Sequence, residues 1–257
     1  MQRAYKSACY KAGEYIDGDL YPVYRPGGKR KGKFNPTSEM QAKLNDKYSK
    51  ERLTRLLHLN FTKADYELHL TYADGNLPED EAQAKKDVQN FIRRAKRLYK
   101  KAGLELKYIW VTEKGKKSER IHHHITISGG VDRTALEDLW VLGMANSKAL
   151  KFTKDGLKGL SHYITKQPLY FRRYNCSKNL KQPEAQQLKT SISHKLMDAL
   201  FDEELARQFF EKQYPGYTLS SVEACINDVN GGYYVKFFMY RSDAKLLSPE
   251  RREVRRN

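Results

Sequence analysis

Long apolar runs are missing from this sequence. No stretch is long enough to cross a bilayer, and the opening "MQRAYKSACYKAGEY" has no signal-peptide core. The expected setting is therefore the cytoplasm, with no membrane partner. Cysteine is scarce: Cys9, Cys176 and Cys225 are odd in number and far apart. That argues against a disulfide framework and against a zinc finger, and leaves reduced thiols. A phosphate loop is absent too, since "GLKGLS" does not fit the Gly-x-x-x-x-Gly-Lys-Ser/Thr pattern. Acidic residues are in deficit, 31 against 48 Lys and Arg, for a net charge of +17. Such a surplus points to a polyanionic partner, nucleic acid first.

What is present is patterned. "DYELHLTY" (65–72) alternates like a strand and ends at the turn signal "ADG". "PEDEAQAKKDVQNFIRRAKRLYKKAG" opens on Pro and acids and closes on lysines and Gly103, as a helix should. Two strands follow, "LELKYIWVTE" and "IHHHITI", joined by the basic turn "KGKKSER". A short helix (132–143), a strand at "SKALKFT" and a helix at "DGLKGLSHYITKQP" complete the run. The order β-α-β-β-α-β predicts an α+β fold: a ferredoxin- or RRM-like antiparallel sheet with helices on one face, followed by an α/β C-terminal extension. The expected parts are a basic, helical N-terminal extension (1–60), a central domain (61–168), and a C-terminal region (169–257) with a helix and the hairpin "SSVEACINDVNGGYYVKFFMYR".

Three consecutive histidines stand on the third strand. Alternation puts Ile121, His123, Ile125 and Ile127 on one face and His122, His124 and Thr126 on the other. The isoleucines mark the core, so His123 is a core occupant. His122 and His124 project together and can reach one cation. Glu113, before the basic turn, is the candidate third ligand. If Ile109 and Val111 mark the core face, Glu113 shares that face unless the strand end bends. Glu119 and His69 are the alternatives. Open coordination positions suit a divalent ion that takes a phosphate oxygen, Mg²⁺ or Mn²⁺.

The last helix of the run carries Tyr163 on the flank of a Leu157/Leu160/Ile164 stripe, with Lys166 three residues on. A tyrosine so placed can keep its hydroxyl accessible, and Lys166 can steady a phosphate or favour the phenolate. Tyr170 and Tyr174 are competing nucleophiles beyond Pro168.

An acidic residue before a short turn, His-x-His on a strand, and Tyr-x-x-Lys on a later helix resemble the HUH endonucleases, especially the single-tyrosine rolling-circle replication initiators of plasmids and phages. The segments "GEYIDGDLYPVYR", "LTRLLHLNF" and "NDVNGGYY" are also similar to replication proteins of bacterial phages and mobile elements. The resemblance implies nicking and joining at a replication origin, with His122, His124 and Glu113 holding the metal. Tyr163 attacks to give a 5′-phosphotyrosine and a free 3′-hydroxyl, and Lys166 assists. It departs from the family pattern at His123, where a hydrophobic residue is usual. It further implies single-stranded or hairpin origin DNA as substrate, a bacterial host cytoplasm, and a host helicase and polymerase as partners. Lys114, Lys116, Lys117 and Arg120 of the basic turn, and Arg172 and Arg173 of "YFRRYNCSKNLK", are the candidate DNA contacts. A single-tyrosine transposase or a relaxase would use nearly the same chemistry. A non-catalytic RRM-like module would instead present aromatics such as Tyr108 and Trp110 on an open sheet face.

Overall fold

The computed structural model describes residues 4–23, 39–115, 119–166, 169–170, 173–227 and 231–246. The chain opens with β1 (Ala4–Ala12), β2 (Tyr15–Val23) and α1 (Glu39–Asn60). The central run is β3 (Tyr66–Tyr72), α2 (Glu81–Lys101), β4 (Tyr108–Lys114), β5 (Ile121–Ile127), α3 (Arg133–Glu137), β6 (Gly143–Ala149) and α4 (Lys158–Ile164). After it come β7 (Asn175–Cys176), α5 (His194–Ala199), α6 (Glu203–Gln213), β8 (Tyr217–Ile226) and β9 (Tyr233–Arg241). These form two compact units, one of residues 49–151 and 157–181, the other of residues 1–48, 152–156 and 182–257. No helix among the described residues is long and apolar enough to cross a membrane.

The first unit carries the histidine strand. Its five-stranded antiparallel sheet has the order β6-β3-β5-β4-β7. β3 and β4 flank β5, and α2 makes the crossover between them, so β3 to β6 form the ferredoxin-like unit. α2 starts where the Asp80 carboxylate accepts the Gln83 N–H at 2.6 Å, with Lys100 and Lys101 in its last turn. Ala84, Val88, Phe91, Ala95 and Tyr99 recur every three to four residues and meet Leu68, Leu70, Trp110, Ile125 and Ile127 of the sheet. Each large apolar side chain buried there contributes about 1.5–3 kcal/mol. Leu136 and Trp140, at and after α3, join the same core.

In the second unit, β1, β2, β9 and β8 make one antiparallel sheet. β1 and β2 are a hairpin around Gly13 and Glu14, in a region read above as a polar extension. β2 pairs with β9, so segments read as separate N- and C-terminal flanks share a sheet. Gly18 lies opposite Phe237, and a Cβ there would stand 2.6 Å from that ring. α5 and α6 cover this sheet through Met197, Leu200, Ala206 and Phe210, with the Phe210 and Phe237 rings stacked at 4.0 Å. The sequence pattern here suggests one helix, but two form. Ser193 caps the first by accepting from the Leu196 N–H, and Asp202 starts the second by accepting from the Leu205 N–H.

Candidate metal and tyrosine site

Strand register decides which histidines meet. β5 pairs with β3 so that His124 is opposite His69, and with β4 so that His122 is opposite Glu113. Directly paired residues point to the same face of a sheet. His69, His122, His124 and Glu113 therefore share one face. The expectation that Ile109 and Val111 mark the α2 side is corrected: Trp110 and Tyr108 pack against that core. Ile109 and Val111 are buried on the opposite face with Glu113, which needs no bulge to join the histidines.

The three imidazoles converge. Their ring centroids lie 4.8 Å (His69–His124), 5.1 Å (His69–His122) and 5.1 Å (His122–His124) apart. One ring nitrogen from each falls within 4.8 Å of the others. Glu113 Oε2 stands 3.6 Å from His124 Nε2 and 3.8 Å from His122 Nε2. Those separations exceed hydrogen-bond length, and two donors sharing an ion at about 2.0–2.2 Å stand this far apart. Glu119 is elsewhere, exposed and paired with Lys114 at 3.4 Å.

The electrostatics favour neutral imidazole, the form that binds metal. Burial, then the neighbouring His69 and His122, push the His124 pKa down to about 3, while Glu113 opposes the shift. His69 is lowered as well, first by burial and then by His122. His124 is 3% exposed, and neither of its ring nitrogens has a hydrogen-bond partner among the described residues. A buried imidazole left so is costly. The donor set therefore fits a divalent cation.

His123 behaves otherwise. On the opposite face, Thr112 Oγ1 lies 2.8 Å from its Nδ1 and the Tyr72 hydroxyl 2.9 Å from its Nε2. The same Tyr72 hydroxyl donates to Asp87 of α2 at 3.3 Å. A polar ring is thus satisfied in a slot where an aliphatic side chain is usual.

α4 brings Tyr163 over the histidine face. The Tyr163 ring meets His124 edge-on at 5.4 Å, and the side chain is 60% exposed. The helix is shorter than the sequence pattern suggests and starts at Lys158, not at Asp155. Its N-cap, Leu157, lacks a capping side chain of its own and donates its N–H to His58 Nε2 of α1 at 2.8 Å. One turn on, Ser161 Oγ meets Thr54 Oγ1 of α1 at 2.6 Å. These α1 supports were not foreseen. Lys166 lies past the helix end, its N–H bonded to the Tyr163 carbonyl at 3.3 Å, and is exposed. Tyr170 is drawn to the far side, where its hydroxyl donates to the Glu81 carbonyl at 2.7 Å and its ring meets Trp110.

Of the candidate DNA contacts, Lys114 is exposed at the end of β4, and Arg120 pairs with Asp74 at 2.7 Å while donating to the Tyr72 carbonyl. Arg173 is half-buried just before β7. Lys116, Lys117 and Arg172 lie outside the described residues. The histidine face continues outward along β6, where exposed Met144, Asn146 and Lys148 pair with Thr71, His69 and Glu67. Alternation in "GMANSKA" is the signal that could have found them.

Residues 65–168 match the model of a family described as replication-associated protein ORF2. No curated protein and no solved structure matches the chain.

Proposed function

We propose that this protein is an HUH-type, single-tyrosine nickase and ligase that starts rolling-circle replication. The observation that carries the reading is the Tyr163 ring set against His124 beside a convergent His69/His122/His124/Glu113 group. The replication-associated family match over the same residues supports it.

His122, His124 and Glu113 would hold a divalent cation, with His69 as a fourth donor. Mg²⁺ and Mn²⁺ both suit the phosphate and carboxylate oxygens, and the third imidazole favours Mn²⁺. When bound, the ion supplies Lewis-acid polarisation of the scissile phosphate. Tyr163 does the bond-making. Its phenolic oxygen, losing its proton, bonds to phosphorus. The P–O3′ bond breaks, and the 3′-oxygen takes up a proton to become a free hydroxyl. Attack by a 3′-hydroxyl on the 5′-phosphotyrosine runs the same exchange backward and rejoins the strand. Lys166, at the end of the same turn, offers a charge to the phosphate. The substrate is single-stranded or hairpin origin DNA in a bacterial cytoplasm, with strand separation and extension left to a host helicase and polymerase. The RRM-like alternative loses its stacking pair, because Tyr108 and Trp110 face α2.

The test is a denaturing gel after incubation with single-stranded origin DNA and Mn²⁺. A protein–DNA adduct is expected from the wild type and not from Tyr163→Phe. An adduct that persists in Tyr163→Phe overturns the assignment of the nucleophile.

A further inference from the structure

The sheet has a second opening on the face away from the histidines. Between α2 and the β4–β7 edge lies a cavity of about 390 Å³, lined by Gln89, Arg93, Lys96, Tyr108, Trp110 and Asn175 among others. We propose that this groove binds one nucleotide of single-stranded DNA, remote from the scissile phosphate. The inference rests on the DNA-handling reading above but not on cleavage.

The lining has the three kinds of group that such a ligand needs. Arg93 and Lys96 are exposed and three residues apart, so both stand on one side of α2. They supply two cations, and no carboxylate among the described residues lines the groove. Arg93 donates to Asn90, which engages one of its several N–H groups. Two positive groups with no acid between them suit a phosphodiester. Tyr108 is half-buried and offers part of its ring, while Trp110, 3% exposed, forms the floor. A ring at that depth can stack on a base of any identity. Gln89 from the helix and Asn175 from β7 add amides able to meet a base edge.

Size and place narrow the occupant. The volume is near the lower end of the roughly 300–1,000 Å³ usual for small-molecule pockets, which favours a single nucleotide over a longer stretch. β7 is the edge strand of the sheet, and Arg173 and Tyr174 lead directly into it. A strand engaged at both the histidine face and the groove would pass around that edge. The basic, aromatic segment after the tyrosine helix then acts by shaping the rim of the groove as well as by its charge.

The experiment uses full-length Tyr163→Phe protein without added metal, so its outcome is independent of nicking. An oligodeoxynucleotide carrying 5-iododeoxyuridine is photocrosslinked and the adducts are mapped by mass spectrometry. Crosslinks to the peptide containing Tyr108 are expected. In parallel, fluorescence anisotropy compares the oligonucleotide with an abasic strand of equal length. Arg93→Ala/Lys96→Ala should weaken oligonucleotide binding about tenfold and remove the Tyr108 crosslink, and the abasic strand should bind several-fold more weakly than the normal one. Adducts that map only elsewhere, or unchanged affinity in the double variant, overturn the proposal. Equal affinity for the abasic strand overturns it too, because the groove would then be a charged patch only.

Discussion

Glu113 shows what a single residue can and cannot disclose. His122 and His124 are readable as a pair from alternation alone, and so is the inward turn of His123. The face of Glu113 was ambiguous because β4 is buried on both sides: Ile109, Trp110 and Val111 are all nearly inaccessible. Alternation cannot distinguish two apolar faces, and the register to β5 is what removes the ambiguity. His69 was harder still, since it sits in a different strand and nothing local ties it to His124. The geometry yields a prediction at this scale. Glu113→Gln and His69→Ala should each weaken Mn²⁺ binding by about 10- to 100-fold in titration calorimetry, and His122→Ala/His124→Ala should abolish it. Unchanged affinity in His69→Ala would return the site to two imidazoles and a carboxylate.

At the scale of elements, β3 to β6 follow the pattern read from sequence because each has a local signal: alternation, caps, or a turn. α4 does not. It is only seven residues long, lacks a side-chain cap from its own N-cap residue, and is held by His58 and Thr54 of α1. A helix this short is marginal alone, so the supports that position Tyr163 lie about a hundred residues earlier in the chain. His58 must be neutral at Nε2 to accept the Leu157 N–H, and burial drives its pKa from the usual histidine range down to about 3. The folded-state value is depressed, so the unfolded chain takes up the proton first as pH falls. The stabilisation is therefore full above about pH 6.5 and is lost between there and about pH 3. At pH 5 the loss from this residue is of order 2 kcal/mol. His58→Gln keeps an acceptor that does not titrate. Urea melts at pH 7.5 and pH 5 should differ less in His58→Gln than in the wild type. An equal difference would mean that His58 is not the group responsible.

For the whole molecule, the pairing of β2 with β9 was out of reach of a sequence reading. It joins residues more than two hundred positions apart, and the period-2 pattern of each strand says nothing about its partner. The charge, in contrast, was legible at once and belongs to no single element. A surplus of 17 positive charges makes DNA binding strongly salt-dependent, since each phosphate neutralised releases counterions. Metal coordination adds little to that release, because the histidine site carries neutral imidazoles and its own carboxylate. The logarithm of DNA affinity should fall linearly with the logarithm of salt concentration, with a slope near −0.7 per phosphate contact on single strands. His122→Ala/His124→Ala should keep that slope while losing adduct formation. Arg93→Ala/Lys96→Ala should reduce its magnitude by about one contact or more. Anisotropy titrations across a salt series measure both. A metal-site variant whose slope collapses with its activity would show that binding and chemistry depend on the same few residues, and that the wider positive surface contributes little.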